Sequence, residues 1–212
     1  IIIKEIINNN DEDLLFLIIE KIDIEKYLLM FMNYVIKEQN LSIAKQIIKN
    51  YPNKLKCCNI LHILINQQKF DMIIPLVESG INIKLKDNEE TALITFCKYL
   101  DVIETEMAID IANKLSHPDI INDYNILGNT ALHYAVEKQS LAVMKILIHA
   151  GANKEIKNKK DIDCVDLALQ YEGQIRNTLL NVLQNEHINY KNNLEEIQKE
   201  KEKQKEIDEF IK

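Results

Sequence analysis

Apolar positions recur along the chain in short blocks at helical spacing. Ile73, Ile74 and Val77 form one block, and Val143, Ile146 and Leu147 another, each at i, i+3, i+4 intervals. Each block predicts one face of a short helix. Leu61, Leu93, Leu132 and Val165 belong to a second set of segments that predict a preceding helix with its apolar side turned inward. Residues 173–185 carry Ile175, Leu179, Leu180, Val182 and Leu183 and suit a last helix of the first kind. Gly80 and Gly151 follow two of these helices, where a left-handed residue closes a C-terminus. Thr91 and Thr130 stand where a hydroxyl caps orphan N–H groups, and Asn59 and Asp163 hold the same place with equally suitable side chains.

These blocks repeat. Asp163-Cys164-Val165-Asp166-Leu167-Ala168 aligns with Thr130-Ala131-Leu132-His133-Tyr134-Ala135 at an offset of 33, the distance from 133 to 166. Thr91-Ala92-Leu93-Ile94 lies 39 residues before the same segment, six more than the repeat. The extra length predicts lengthened helices between 96 and 120, with Asp101–Glu106 and Ser116–Asp119 as its sites and Pro118 forcing a helix to end or restart. Val102, Ile103 and Met107 are then buried in those helices or exposed to a partner, burial being favoured. Asn59-Ile60-Leu61-His62 is a further copy, and Phe70 to Asn82 matches Leu141 to Asn153 place for place. Asn33 to Ile48 is a shorter, degenerate copy with Leu41, Ala44, Ile47 and Ile48 in its second helix. Residues 11–20 read as a second helix whose first helix is partial or missing. No single helix pair can bury its apolar face, so stacked neighbours must complete the core.

Gly128-Asn129-Thr130-Ala131-Leu132-His133-Tyr134-Ala135, followed by Ser140 to Asn153, resembles most of one ankyrin repeat. The resemblance is strong over 128–168, good over 57–94 and weak before 50. It implies an all-α, ankyrin-type helical repeat solenoid over residues 1–185, with about five repeats and degenerate ends. A charged tail, helical or disordered, follows over 186–212. It also implies non-catalytic protein–protein recognition, as an adaptor or a subunit of a larger assembly, with no cofactor and no nucleic acid. A regulatory ankyrin segment of a larger enzyme is the alternative, and a purely structural subunit another.

In that family binding uses loop tips and the exposed side of the first helices. Matched positions here are Ile126, Leu127, Asn129, Glu137 and Lys138 in the best repeat. Asp87, Asn88, Glu90, Lys98 and Tyr99 match in the repeat before it, and Lys159, Lys160, Ile162, Gln170 and Tyr171 in the repeat after it. Ile126, Leu127, Tyr99 and Tyr171 stand among charges as apolar or aromatic anchors, the mixture expected of a hot spot.

Composition narrows the alternatives. Net charge is −7, aromatics are 6% and Trp is absent, which argues against a phosphate-backbone face or a base-stacking platform. Four Cys (Cys57, Cys58, Cys97, Cys164) have neither zinc-knuckle nor redox spacing and read as reduced, buried small apolar residues of a cytosolic protein. No apolar run reaches membrane-span length. Ile1 stands where an initiator Met would, which points to a truncated or processed chain. Ile, Asn and Lys are abundant while Gly is 4 and Pro is 3, as in AT-rich genomes, and this blurs the usual punctuation.

Candidate chemistry dissolves into the register. His62 and His133 are one column, and the resemblance makes that histidine a structural bond to neighbouring loop backbone. The same column holds Asp166, Ile94 and Asn33, a poor home for catalysis. His117, His149 and His187 share no ligand spacing. Nucleophile elbows and phosphate loops are missing from the sequence. Asp161 and Asp163 fall at helix-start positions. Lys154, Lys157, Lys159 and Lys160 form a basic loop, either solvated surface or a patch for an acidic partner. The tail, with Glu and Lys mixed and apolar residues returning at Ile207, Phe210 and Ile211, is a solvated or partner-dependent helix or a linker. The Ile-rich start is the core of a capping helix or a docking strip.

Overall fold

A computed structural model describes residues 59–184 continuously, with 40–50 and residues 14, 17, 32, 34–36 and 38. The Ile-rich start, Cys57, Cys58 and the tail over 186–212 lie outside the described residues, as does Asn33. The chain falls into two compact units, Ile1–Leu115 and Ser116–Lys212.

In the first unit, α1 (Leu41–Asn50), α2 (Ile60–Asn66), α3 (Ile73–Glu78), α4 (Ala92–Cys97) and α5 (Thr105–Leu115) form two layers. First helices α2 and α4 pack together, and second helices pack in the order α1, α3, α5. The degenerate copy over 33–48 thus supplies a true second helix, with Ile43, Ala44 and Ile47 buried. In the second unit, α6 (Ala131–Glu137) packs on α7 (Leu141–His149) and on α8 (Cys164–Leu169), and a last helix spans residues 173–184. Leu61, Leu93 and Leu132 are buried as the register requires.

Several positions depart from the sequence expectation. Phe70–Met72 is a 3-10 turn ahead of α3, whereas the matching α7 starts as an α-helix. Pro75 explains this, because it has no N–H to bond the carbonyl of Asp71 four residues back. The buried stripe of the second helices is Met72, Ile73 and Leu76, and Val143, Met144, Leu147 and Ile148. Ile74 and Ile146 are only half-buried, one step off that stripe. Val165 is half-buried while Cys164 and Ala168 face inward, and Ile175 is 47% exposed. Among the six extra residues, α4 stops at Cys97, a turn follows, and α5 extends to 11 residues ending before Pro118. Val102 sits on that turn and is exposed, with Ile103 and Met107 half-buried.

The helices end as capping physics dictates, with unusual residues. The C-terminus of α7 is a Schellman closure: Gly151 (φ 96°) donates to Ile148 at 3.0 Å and Ala152 to Leu147 at 2.9 Å. The same closure ends α2 and α6, but Gln68 and Gln139 hold the left-handed place, each with φ 54°. Thr91 accepts from Ile94 N–H at 3.2 Å, and Asp163 accepts from Val165 and Asp166 N–H at 2.8 and 2.9 Å. Asn59 holds the same place without a side-chain cap, its carbonyl alone accepting from Ile63.

Extended backbone is confined to the loops among the described residues. β1 (Lys86–Asp87) pairs antiparallel with β2 (Glu90–Thr91), and Tyr124 bridges Thr130. The β1–β2 hairpin turns at Asn88 and Glu89, with φ 48° and 66°, the double left-handed geometry that favours Asn-Gly. Glu89 is exposed, so Glu89→Gly removes backbone strain and loses no packing. Stability is expected to rise by about 0.5–1 kcal/mol in urea unfolding, the gain being net of glycine's greater freedom in the unfolded chain.

Candidate protein-binding groove

The second unit contains two equivalent loops built on Asn125 and Asn158, 33 residues apart as 158 minus 125. Asn125 Oδ1 accepts from Leu127 and Asn129 N–H at 3.0 and 3.1 Å, and Asn158 Oδ1 from Lys160 and Ile162 N–H at 2.9 and 3.2 Å. Each loop thereby folds around one amide side chain. Gly128 (φ 80°) and Asp161 (φ 60°) turn the two tips at the same column. Lys159 N–H donates to the Leu127 carbonyl at 3.0 Å, and Asn158 Nδ2 to Asn129 Oδ1 at 2.8 Å, so the tips are tied side by side.

Histidine completes the tie. Thr130 N–H donates to Nδ1 of buried His133 at 3.2 Å, and the Thr130 hydroxyl lies 2.8 Å from the same nitrogen. A backbone N–H can only donate, so Nδ1 accepts and the proton sits on Nε2, which donates to the Ile162 carbonyl at 3.3 Å. In the first unit His62 Nε2 donates to the Glu90 carbonyl at 2.9 Å, and its buried Nδ1 meets no partner among the described residues. In the third copy Asp166 keeps half of the role, accepting from Asp163 N–H at 3.2 Å.

Burial disfavours the imidazolium at both sites and holds His62 and His133 below the usual 6.5 despite nearby carbonyls and carboxylates that pull the other way. On acidification the unfolded chain takes up these protons first. The stability tied to the two rings is therefore complete above pH 6.5 and falls as pH drops below it, down to the folded-state values. Melting temperature measured from pH 7.5 to 5.5 is expected to decline, and less steeply in His133→Gln.

Between the tied loops and helices α6 and α8 lies a groove of about 410 Å³. Leu127, Asn129, Glu137, Lys159, Lys160, Ile162, Gln170 and Tyr171 line it, together with Asn158 and Leu167. Tyr171 donates its hydroxyl to the Glu137 carbonyl at 2.8 Å, joining the C-terminal ends of the two first helices. Ile126 is 54% exposed at the tip beside Leu127 but is not part of the lining, and Lys138 is half-buried at the end of α6. Sequence reasoning missed Asn125, Asn158 and Leu167. The two asparagines share a column, a signal submerged in an Asn-rich chain.

Asp87, Asn88, Glu90, Lys98 and Tyr99 belong to the first unit. Asp87 is half-buried and Asn88 exposed at the hairpin turn. Glu90 and Lys98 form an ion pair, with Thr95 donating weakly to the same carboxylate at 3.4 Å. Tyr99 stacks edge-on against Phe70 with centroids 6.3 Å apart and donates to Asn66 at 3.3 Å. Cys97 and Cys164 are buried free thiols, and burial pushes both pKa values up, away from nucleophile chemistry. Among the described residues no group of three or more His, Cys, Asp or Glu could hold a metal ion, and no helix is long and apolar enough to cross a membrane.

Short antiparallel helices stacked in two layers and joined by turned loops define a helical repeat protein. A family model described as ankyrin repeats (3 copies) matches residues 61–158. Residues 61–158 thus match ankyrin repeats, and such repeats indicate a protein–protein interaction module. A protein named "Putative ankyrin repeat protein L92" from Acanthamoeba polyphaga mimivirus is 38% identical over 71 residues, 34% of this chain and 16% of that protein. The chain therefore spans a small part of that relative's length. A solved structure titled as the Bd0816 predatory endopeptidase of Bdellovibrio bacteriovorus in complex with immunity protein Bd3460 is similar at 24% identity and a TM-score of 0.49. That alignment covers 66% of this chain and 74% of the other.

Proposed function

We propose that the chain is a non-catalytic recognition module, an adaptor or subunit of a larger assembly in a reducing compartment such as the cytoplasm. The groove of the second unit is its contact surface. One observation carries this reading: side chains of two successive repeats converge on a single concavity with Leu127, 55% exposed, at its edge. An apolar side chain that shares the groove with Glu137, Lys159 and Lys160 supplies an anchor, and those residues supply orienting charge. Ile126 and Lys138 extend that surface, and Asp87 and Asn88 offer a second tip. Glu90 contributes mainly through its pair with Lys98.

Affinity capture from cell extract followed by mass spectrometry tests the reading. Glu137→Lys combined with Lys160→Glu is expected to release the captured protein, and Leu127→Asp to do the same. A subunit held only by its ends would keep its partner through all three changes. Loss of the partner only after deletion of 186–212 would overturn the groove as the contact surface.

The second reading, a regulatory ankyrin segment of a larger enzyme, draws on the 16% share of the mimivirus relative that the match covers. Mapping the full reading frame decides it. A start codon just upstream of Ile1 and a stop after Lys212 would remove it.

A further inference from the structure

The groove has a polarity that its outline alone does not show. Lys159 and Lys160 are exposed on the loop wall, and no ion pair involves either ammonium among the described residues. Lys157 of the same loop is paired with Asp161 at 3.1 Å, but both are well exposed and the bond is weak. On the helix wall Glu137 is the one lining acid. The apolar part of the lining is contributed by Leu127, Ile162, Leu167 and Tyr171. A volume of about 410 Å³ lies near the lower end of ligand-sized sites, roughly 300–1,000 Å³, and suits a few side chains of an extended segment.

We propose that the groove takes an acidic peptide segment bearing a bulky apolar side chain, its carboxylates on Lys159 and Lys160 and its apolar group against Leu127, Ile162 and Tyr171. The proposal rests on the reading of this groove as the contact surface and names the partner chemistry. Charge complementarity decides the class. Two lysines without an ion pair among the described residues, in a chain of net charge −7, form a local positive spot inside a negative field, which selects anionic groups only where they can reach that spot. Glu137 on the facing wall repels a continuous phosphate backbone, whereas a peptide can place a neutral or basic residue there. Tyr171 is the single aromatic ring of the lining, too little for successive bases to stack.

The test is selection of a displayed library of random heptapeptides on the full chain, followed by anisotropy titration of the enriched sequences. The expected enrichment is Asp or Glu within two positions of Phe, Tyr, Leu or Ile. Affinity should fall about tenfold or more in Lys159→Glu/Lys160→Glu, and severalfold between 50 and 300 mM salt, as charge steering is screened. Leu127→Ala should cost a similar factor with little salt dependence. The lysines are exposed, so circular dichroism confirms that the double variant is folded. Enrichment of basic or uncharged peptides overturns the proposal, and so does acidic binding that survives the double variant. No enrichment at all, while Leu127→Asp still releases the captured cellular protein, overturns the acidic class but leaves the groove as contact surface. Binding of single-stranded RNA that is lost in the double variant and displaces the peptides also overturns it.

Discussion

Gly128→Ala is expected to cost about 3 kcal/mol, well beyond an ordinary surface change. Two effects add. Gly128 holds φ 80°, where an L-residue pays about 1–2 kcal/mol. A Cβ there would also lie 2.8 Å from Lys159 N and 2.9 Å from Asn158 Cα, both backbone atoms of the next loop. Backbone cannot rotate aside as a side-chain tip can, so the loop must move, at about 1–3 kcal/mol. Moving it lengthens the bond from Lys159 N–H to the Leu127 carbonyl and separates Asn158 from Asn129. The groove should open with it, so binding weakens as well as stability. Gly80→Ala is the internal control: Gly80 has φ 90° but nothing within 4 Å of the added Cβ. Only the conformational part should be lost there, and equal losses in urea unfolding for the two variants would remove the interlocked-loop account.

Phe96→Ala is expected to cost about 4 kcal/mol, within the range for emptying a large buried site. Phe96 is fully buried on α4, at a column where the equivalent residues are Ala135 and Ala168, also fully buried. A bulky ring where other repeats hold a methyl needs room. α5, which packs on α4, has small Ala108 and Ala112 among its buried residues, whereas α7 offers Met144 and Leu147 to α6. The six extra residues thus accompany an exchange of large and small across one helix pair. Truncation leaves a cavity that neither alanine can fill. A loss of less than about 1 kcal/mol of unfolding free energy in urea would mean that the site collapses and that α5 is not held by the ring.

The register was legible in the sequence because apolar spacing and capping residues are local properties, and both repeat with the same period. It located the helices, the left-handed glycines and the columns of Leu127, Asn129, Glu137, Gln170 and Tyr171 that surround the groove. Features that depend on a neighbour were harder to see. Ile74 and Ile146 have the right spacing but lie one step from the stripe that stacking buries. Ile175 begins the last helix and Val102 caps a turn, and each stays exposed because no described element covers it. Gln68, Gln139 and Asp161 occupy left-handed places that glycine usually marks, so a search for glycine passes over them. Asn125 and Asn158 were hidden by the abundance of asparagine.

The lining of the groove comes in matched pairs from the same columns of consecutive repeats: Leu127 with Lys160, Asn129 with Ile162, Glu137 with Gln170. With the groove as the proposed contact surface, each junction between repeats becomes a separately heritable unit of specificity. Recombination that swaps one 33-residue module, the distance from 133 to 166, would replace one repeat's share of the lining and leave the other's intact. On that proposal a lineage of such chains would acquire new partners by exchanging repeats, with the tied loop backbone preserved as the common joint.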